Sequence, residues 1–288
     1  MEIEKAGKLG LCFGVKRAIK LLKGATSKYG EIETLGPVAH NRQLVQGLAK
    51  LGIKPVDELG QVQGKILAIT THGVSPMMLS EIEARHIHII DTTCPIIHKA
   101  QNAAKKLAEA DFDVIIFGEA GHAEVKGLLG WANSKGVAAL DVKQIDTPSL
   151  LATRRRNNLY RLGIISQTTQ SQSAFVEFIT QLMAALPPKV EELHIINTLC
   201  QTMQRRQEAA IKLARKTQLM IVVGGHDSAN AKHLVESCSP IVEAHLVEGA
   251  SEVDDSWLIG KYHIGITAGT STPNEAIEGV VTKLKSLV

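Results

Sequence analysis

Short runs of aliphatic and β-branched residues recur along the chain, each stopped by small polar residues and followed by an amphipathic stretch. The runs at 66–70, 114–118, 220–224 and 263–267 are apolar on both faces, as strands of a parallel sheet covered by helices must be. Segments 15–28, 98–110, 174–186 and 204–216 instead place apolar residues three and four apart, which predicts helices with one buried face. This alternation predicts an α/β fold with parallel sheets.

Three of the four cysteines fall at the joints of that pattern. Cys12, Cys94 and Cys200 each stand directly before a helical segment, and clear strand patterns precede Cys94 and Cys200. Pro95 suits the first helical position after Cys94. The three cysteines are 82 and 106 residues apart, roughly a third of the chain each. The economical reading is three similar α/β units, at 1–94, 95–193 and 194–288, with the three cysteines presented from the same kind of turn. The N-terminal strand is free to pack with the third unit. Pro187-Pro188-Lys189 marks the join between the second and third units.

Composition narrows the class. Of 288 residues, 44% are hydrophobic, which excludes a disordered chain. Four scattered cysteines are too few for a disulfide-built secreted domain. The charged N-terminus is unlike a signal peptide, and no apolar run approaches the roughly 18 residues of a membrane span. A soluble protein of a reducing cytoplasm is expected. The net charge is +3, aromatics are 3% of residues, and no basic stripe with aromatics to stack on stands out, so no nucleic-acid partner is expected. The one tight cationic run, Arg154-Arg155-Arg156, reads as a solvated loop.

In open α/β sheets ligands bind beyond the carboxyl ends of the strands. The loops there contain His40, His72, His122, Glu124, Thr168, Ser228, Asn230 and Ser271, and they are rich in Gly, Ser and Thr but poor in Lys and Arg. Small polar side chains, backbone N–H groups and helix starts hold an anion such as a diphosphate, and imidazoles add charge tunable near neutrality. A helix N-terminus also favours the thiolate form of a cysteine. Three thiolates suit an iron–sulfur cluster with one iron left open as a Lewis acid, but spacing alone leaves zinc or three buried structural thiols equally available.

The segments LGLCFGVKRA, GPVAHN, THGVS, DTTCP, GHAEVKG, SQTTQS and ITAGTSTP, in this order from Gly10 to Pro273, resemble the 4-hydroxy-3-methylbut-2-enyl diphosphate reductase (IspH/LytB) family over nearly the whole chain. The resemblance implies three α/β units in pseudo-threefold arrangement around one [4Fe–4S] cluster, held by Cys12, Cys94 and Cys200 with one open iron. It implies that His40, His72, His122, Ser228, Asn230 and Ser271 bind the substrate diphosphate. It assigns proton delivery to Glu124 and positioning of the substrate hydroxyl to Thr168. The reaction implied is reductive dehydroxylation of the allylic diphosphate to isopentenyl and dimethylallyl diphosphate, the last step of the non-mevalonate pathway. Electrons are expected from a ferredoxin- or flavodoxin-type protein, since no dinucleotide fingerprint or P-loop is present. A carboxyl beside a diphosphate and an anionic cluster should have a raised pKa and keep its proton near neutrality.

The chain departs from the family pattern at Ala229, where a serine is common, and at Thr202-Met203, although Arg206-Gln207 is kept. One neutral hydrogen bond to an anion is worth about 1–3 kcal/mol. Cys238 matches no motif and reads as structural. His86, His88, His98, His194, His226, His233, His245 and His263 read as surface or capping residues, and Asn41 and Thr169 as supports. Two other readings share these features. An iron–sulfur lyase or dehydratase would act on a related anion without external electrons, and a zinc-stabilised binding protein would hold zinc without sulfide.

Overall fold

The protein is described here by a computed structural model covering residues 1–133, 136–145, 160–186 and 190–287. The Arg154-Arg155-Arg156 run and the Pro187-Pro188-Lys189 join lie outside the described residues. The chain begins with β1 (Glu2–Lys5), α1 (Phe13–Tyr29), β2 (Ile32–Leu35), α2 (Arg42–Ala49) and β3 (Ile53–Val56). It continues with β4 (Ile66–Ile69), α3 (Pro76–Ala84), β5 (His88–Asp91), α4 (Pro95–Glu109), β6 (Asp113–Phe117), α5 (Ala123–Trp131) and β7 (Gly136–Ala139). Then come β8 (Tyr160–Ser166), α6 (Gln172–Ala185), β9 (Val190–Ile195), α7 (Gln201–Ala214) and β10 (Leu219–Val223). The last elements are α8 (Ala229–Cys238), β11 (Ala244–Val247), β12 (His263–Ala268) and α9 (Asn274–Ser286). Among the described residues the strands make three four-stranded parallel sheets flanked by helices, the α/β architecture that the hydrophobic pattern predicts.

The chain divides into two compact units. One joins Met1–Gly64 to Gln201–Val288, and the other is Lys65–Cys200. The first holds the sheet β1-β12-β10-β11 and the pair β2–β3. The second holds the sheet β7-β6-β8-β9 and the pair β4–β5.

The two complete sheets are built by one recipe. Every residue of β6 and of β10 is buried, and side chains on a strand alternate between faces. In β10, Leu219, Ile221 and Val223 pack on Ile277, Val280 and Leu284 of α9. Met220 and Val222 pack on Leu213 of α7 and Leu234 of α8. In β6, Ile115 and Phe117 meet Phe175, Phe178 and Leu182 of α6, while Val114 and Ile116 meet Leu107 of α4 and Leu128 of α5. Each buried side chain of this size contributes about 1.5–3 kcal/mol, which is why both faces of these strands are apolar.

The match extends to single residues. Leu107 and Leu213 each lie 13 residues after a cysteine. Each presses on a glycine of the strand beneath it: a Cβ on Gly163 would come within 2.6 Å of the Leu107 side chain, and one on Gly265 within 2.9 Å of that of Leu213. The strand orders agree as well, with β9-β8-β6-β7 matching β1-β12-β10-β11. The fourth place in the latter sheet is filled by the first strand of the chain, β1, parallel to β12.

Candidate active site

All three cysteines start helices. Cys12 caps α1 and its Sγ accepts from the Val15 N–H at 3.5 Å. Cys94 caps α4, with Pro95 at the first helical position, and Cys200 directly precedes α7. All three are free thiols and half-buried, whereas Cys238 is buried. Burial among the α8 core residues pushes the Cys238 thiol up to about 11, so it stays protonated.

The same tether holds each cysteine. The Cys12 N–H donates to the Thr270 carbonyl at 3.0 Å, that of Cys94 to Thr71 at 3.0 Å, and that of Cys200 to Thr168 at 2.9 Å. Each threonine sits in a loop after β12, β4 or β8, next to or within a candidate site motif: Ser271 follows Thr270, His72 follows Thr71, and Thr168 is itself a candidate. Each tether contributes about 1 kcal/mol and couples one thiol to one loop that carries candidate site residues.

In the unit 65–200 the central feature is Glu124. It lies in the first turn of α5 and is 1% exposed. The Thr168 N–H donates to Oε1 at 2.6 Å and the Thr168 hydroxyl to Oε2 at 3.0 Å. Burial raises the carboxyl to about 7, although both Thr168 bonds favour the charged form. Desolvation alone therefore brings about the shift that sequence reasoning ascribed to a neighbouring diphosphate and cluster. His122 caps α5, and its Nδ1 accepts from the Glu124 N–H at 3.2 Å, which leaves Nε2 to carry the proton. The His72 and His122 rings meet edge to face, with centroids 5.7 Å apart.

Sequence reasoning missed Gln101 in this unit. It is 4% exposed and accepts from His98 Nδ1 at 3.1 Å. Its amide packs against Gly73, whose φ of +69° suits only glycine without strain, so a side chain at Gly73 would displace Gln101. Gln101 thus shapes the loop that carries His72. The available signal was a polar residue on the buried face of α4, between Ile97 and Ala104.

In the other unit His40 ends the loop before α2, and its carbonyl lies so close to Gly225 that no Cβ fits there. Burial is the main influence on its imidazole and lowers the pKa. Asp227 opposes this and Lys232 reinforces it, so a neutral ring is favoured near pH 7. Ser228 caps α8, its Oγ accepting from the Ala231 N–H at 3.4 Å, which leaves its O–H free to donate. Asn230 is 4% exposed; its Nδ2 donates to Thr270 Oγ at 3.1 Å while its buried Oδ1 has no partner. A threonine hydroxyl both donates and accepts, so turning the amide over keeps this bond and presents N–H to the site. The half-buried Ser271 belongs to a loop anchored by Thr272 Oγ and the Gly269 N–H, each donating to the Val223 carbonyl at 2.9 Å.

Arg206, kept from the family pattern without a role, acts here as a brace. It is 4% exposed and donates to the carbonyls of Gly10 at 2.5 Å and Ala268 at 3.1 Å, clamping the turn before Cys12 to the strand before Ser271. Asn41 caps α2 by accepting from the Leu44 N–H at 2.9 Å, a structural role. His226, His233 and His245 each lie 2.9 Å from a carboxylate on the surface.

The LytB protein family matches residues 3–285 of this chain. The 4-hydroxy-3-methylbut-2-enyl diphosphate reductase of Dehalococcoides mccartyi (strain CBDB1) is 40% identical over 287 residues, covering 100% of this chain and 99% of that protein. The reductase of the same name from Geobacter metallireducens is 34% identical over 288 residues, covering 100% and 98%. The solved structure of (E)-4-hydroxy-3-methyl-but-2-enyl diphosphate reductase, the terminal enzyme of the non-mevalonate pathway, aligns with a TM-score of 0.69 at 32% identity, covering 99% of this chain and 100% of that one. The Plasmodium falciparum E-1-hydroxy-2-methyl-but-2-enyl-4-diphosphate reductase aligns with a TM-score of 0.88 at 26% identity, covering 99% and 88%.

Proposed function

Because the chain belongs to the LytB family, we propose that it reduces (E)-4-hydroxy-3-methylbut-2-enyl diphosphate to isopentenyl and dimethylallyl diphosphate. The observation that carries the reading to these residues is the buried Glu124–Thr168 pair, tethered through the Thr168 carbonyl to Cys200. Three free, half-buried thiols at helix starts, each tied to a site loop, are a donor set that fits a [4Fe–4S] cluster with three protein ligands. When bound, that cluster supplies single electrons and a Lewis-acidic iron.

The protein's part is proton handling and anion binding. With its carboxyl at about 7, Glu124 keeps its proton over much of the neutral range. Oε1 accepts from the Thr168 N–H, so the acid proton resides on Oε2 and donates to Thr168 Oγ across the same 3.0 Å. The Thr168 O–H then turns outward to the substrate hydroxyl. As C–O cleavage develops, Thr168 passes its proton to the departing oxygen and recovers one from Glu124, and water leaves. Two electrons and two protons balance the reaction: one proton departs in the water and the other ends on carbon.

The diphosphate is held by His40, which burial keeps neutral, by His72, by His122 through Nε2, and by Ser228, Asn230 and Ser271. Ala229, the first residue of α8, contributes no hydroxyl. Electrons come from a ferredoxin- or flavodoxin-type carrier. The thirds 1–94, 95–193 and 194–288 belong to the same reading as three repeats around the cluster, a cut different from the two compact units. No helix among the described residues is long and apolar enough to cross a membrane, and four free thiols suit a reducing cytoplasm.

The test is anaerobic purification, metal and acid-labile sulfide analysis, and turnover of the allylic alcohol diphosphate with and without a one-electron reductant. Iron and sulfide in equal amounts with strictly reductant-dependent formation of both products is expected. Zinc without sulfide, or turnover without reductant, would overturn the reading in favour of a binding protein or a lyase.

A further inference from the structure

Helix α1, which begins at Cys12, carries Lys16, Arg17, Lys20, Lys23 and Lys28 and no acidic residue, although the whole chain has a net charge of only +3. Positions 13, 16, 20 and 23 are spaced three and four apart, so they form one stripe on the helix. Phe13, Lys16, Lys20 and Lys23 are all exposed, and Phe13, next to the thiol-bearing residue, is 69% exposed. The stripe runs about 15 Å from Phe13 to Lys23 at 1.5 Å per residue. Among the described residues no salt bridge takes up Lys16, Lys20 or Lys23, in contrast to Lys5 and Lys54, which pair with Glu278 and Glu31. Adjacent cations are what a linear reading finds; this stripe becomes visible only at the helical period.

We propose that the Phe13–Lys16–Lys20–Lys23 face of α1 is the docking surface for an acidic one-electron carrier protein. The inference rests on the reductase reading and specifies where its electrons enter. Four unpaired or apolar groups on one face, three of them cationic, complement an anionic partner by Coulomb attraction. Redox encounters of this kind are small and short-lived, dominated by steering charges with one aromatic contact. The position also suits electron entry, because electron transfer falls steeply with distance and the stripe starts at the residue after a proposed cluster ligand. The lysines point to solvent, so the stripe is not part of the diphosphate-binding set.

The experiment compares the wild type with a Lys16→Glu/Lys20→Glu/Lys23→Glu variant, a neutral Lys16→Gln/Lys20→Gln/Lys23→Gln variant, and Phe13→Ala. Turnover is driven either by a reduced acidic flavodoxin or by reduced methyl viologen, over a range of salt. Binding of the oxidised flavodoxin is titrated separately at low salt, which gives a readout independent of turnover. Charge reversal should lower kcat/KM with flavodoxin by 10-fold or more, abolish its salt dependence and weaken binding, with the neutral variant and Phe13→Ala between the extremes. Viologen-driven turnover should be unchanged in all four proteins. Equal loss with both reductants, or flavodoxin kinetics insensitive to all three changes, would overturn the proposal, as would binding of duplex DNA or anionic vesicles through this face without flavodoxin binding. Failure of viologen-driven turnover in the wild type would instead count against the reductase reading itself.

Discussion

The two units prepare their polar groups in opposite ways. In 65–200 the buried polar atoms of the site are satisfied before any ligand arrives: both Glu124 oxygens are bonded to Thr168, and His122 Nδ1 to the Glu124 N–H. In the other unit one end of the buried Asn230 amide has no partner, an N–H once the amide is turned over, and Ser228 accepts a bond while its proton is uncommitted. An unmet buried polar atom costs about 1–3 kcal/mol, so it persists where binding a ligand relieves it. On the proposed reading the contrast puts the preset proton-transfer pair in 65–200, which also lends His72 and His122 to the diphosphate, and puts the anion donors that still await a ligand in the other unit.

The largest expected effect follows from removing the acid. Glu124→Gln preserves shape and both Thr168 contacts, since Gln Oε1 still accepts and its amide donates to Thr168 Oγ. Turnover should fall roughly 10²- to 10⁴-fold with KM within a few-fold of wild type, read by anaerobic steady-state kinetics. A comparable rise in KM would erase the division of labour.

The same variant tests the burial argument without substrate. Below the ordinary carboxylate pKa of 4.5, Glu124 is protonated whether the chain is folded or not, and it contributes nothing to pH dependence. Between 4.5 and about 7 the unfolded chain ionises while the folded one does not, so stability drains away as pH rises. Above about 7 the folded protein carries the full penalty, about 3 kcal/mol for a shift of this size. Glu124→Gln should therefore match the wild type in denaturant unfolding near pH 4.5 and exceed it by up to about 3 kcal/mol at pH 8. A stability difference independent of pH would contradict the raised pKa.

Asn230→Ala sharpens the other side of the comparison. Losing one contact to a diphosphate should raise KM by roughly 10- to 100-fold, the equivalent of about 1–3 kcal/mol, with kcat nearly unchanged. The smallest effect is expected for Ala229→Ser, which adds a hydroxyl at the half-buried first position of α8: KM should drop a few-fold at most, because one new neutral contact contributes about 1 kcal/mol. A fall in kcat for either variant would move that loop into the chemistry.

Much of this was legible in the chain. Strands apolar on both faces announced the parallel sheets, and three cysteines before helical segments announced the repeated turn, because both signals lie within a few residues of each other. The partners across the fold were less visible. Nothing in the spacing of Thr71, Thr168 and Thr270 says that their carbonyls receive the cysteine amides, since each bond closes over 23 residues or more. Gln101 and Arg206 work through buried contacts with distant backbone, and the placement of β1 beside β12 joins the two ends of the chain. A raised pKa for Glu124 was expected from its neighbours; the structure supplies the cause in burial, which no single sequence displays.

The central claim is that Glu124 holds a proton near neutrality because it is buried. Its most direct test is an isotope-edited infrared titration of the carboxyl band that disappears in Glu124→Gln, recorded on protein with and without iron. The account predicts a protonated-carboxyl signal at pH 6 that titrates at about 7. A Glu124 carboxylate already fully ionised at pH 6, titrating near 4.5, would contradict it.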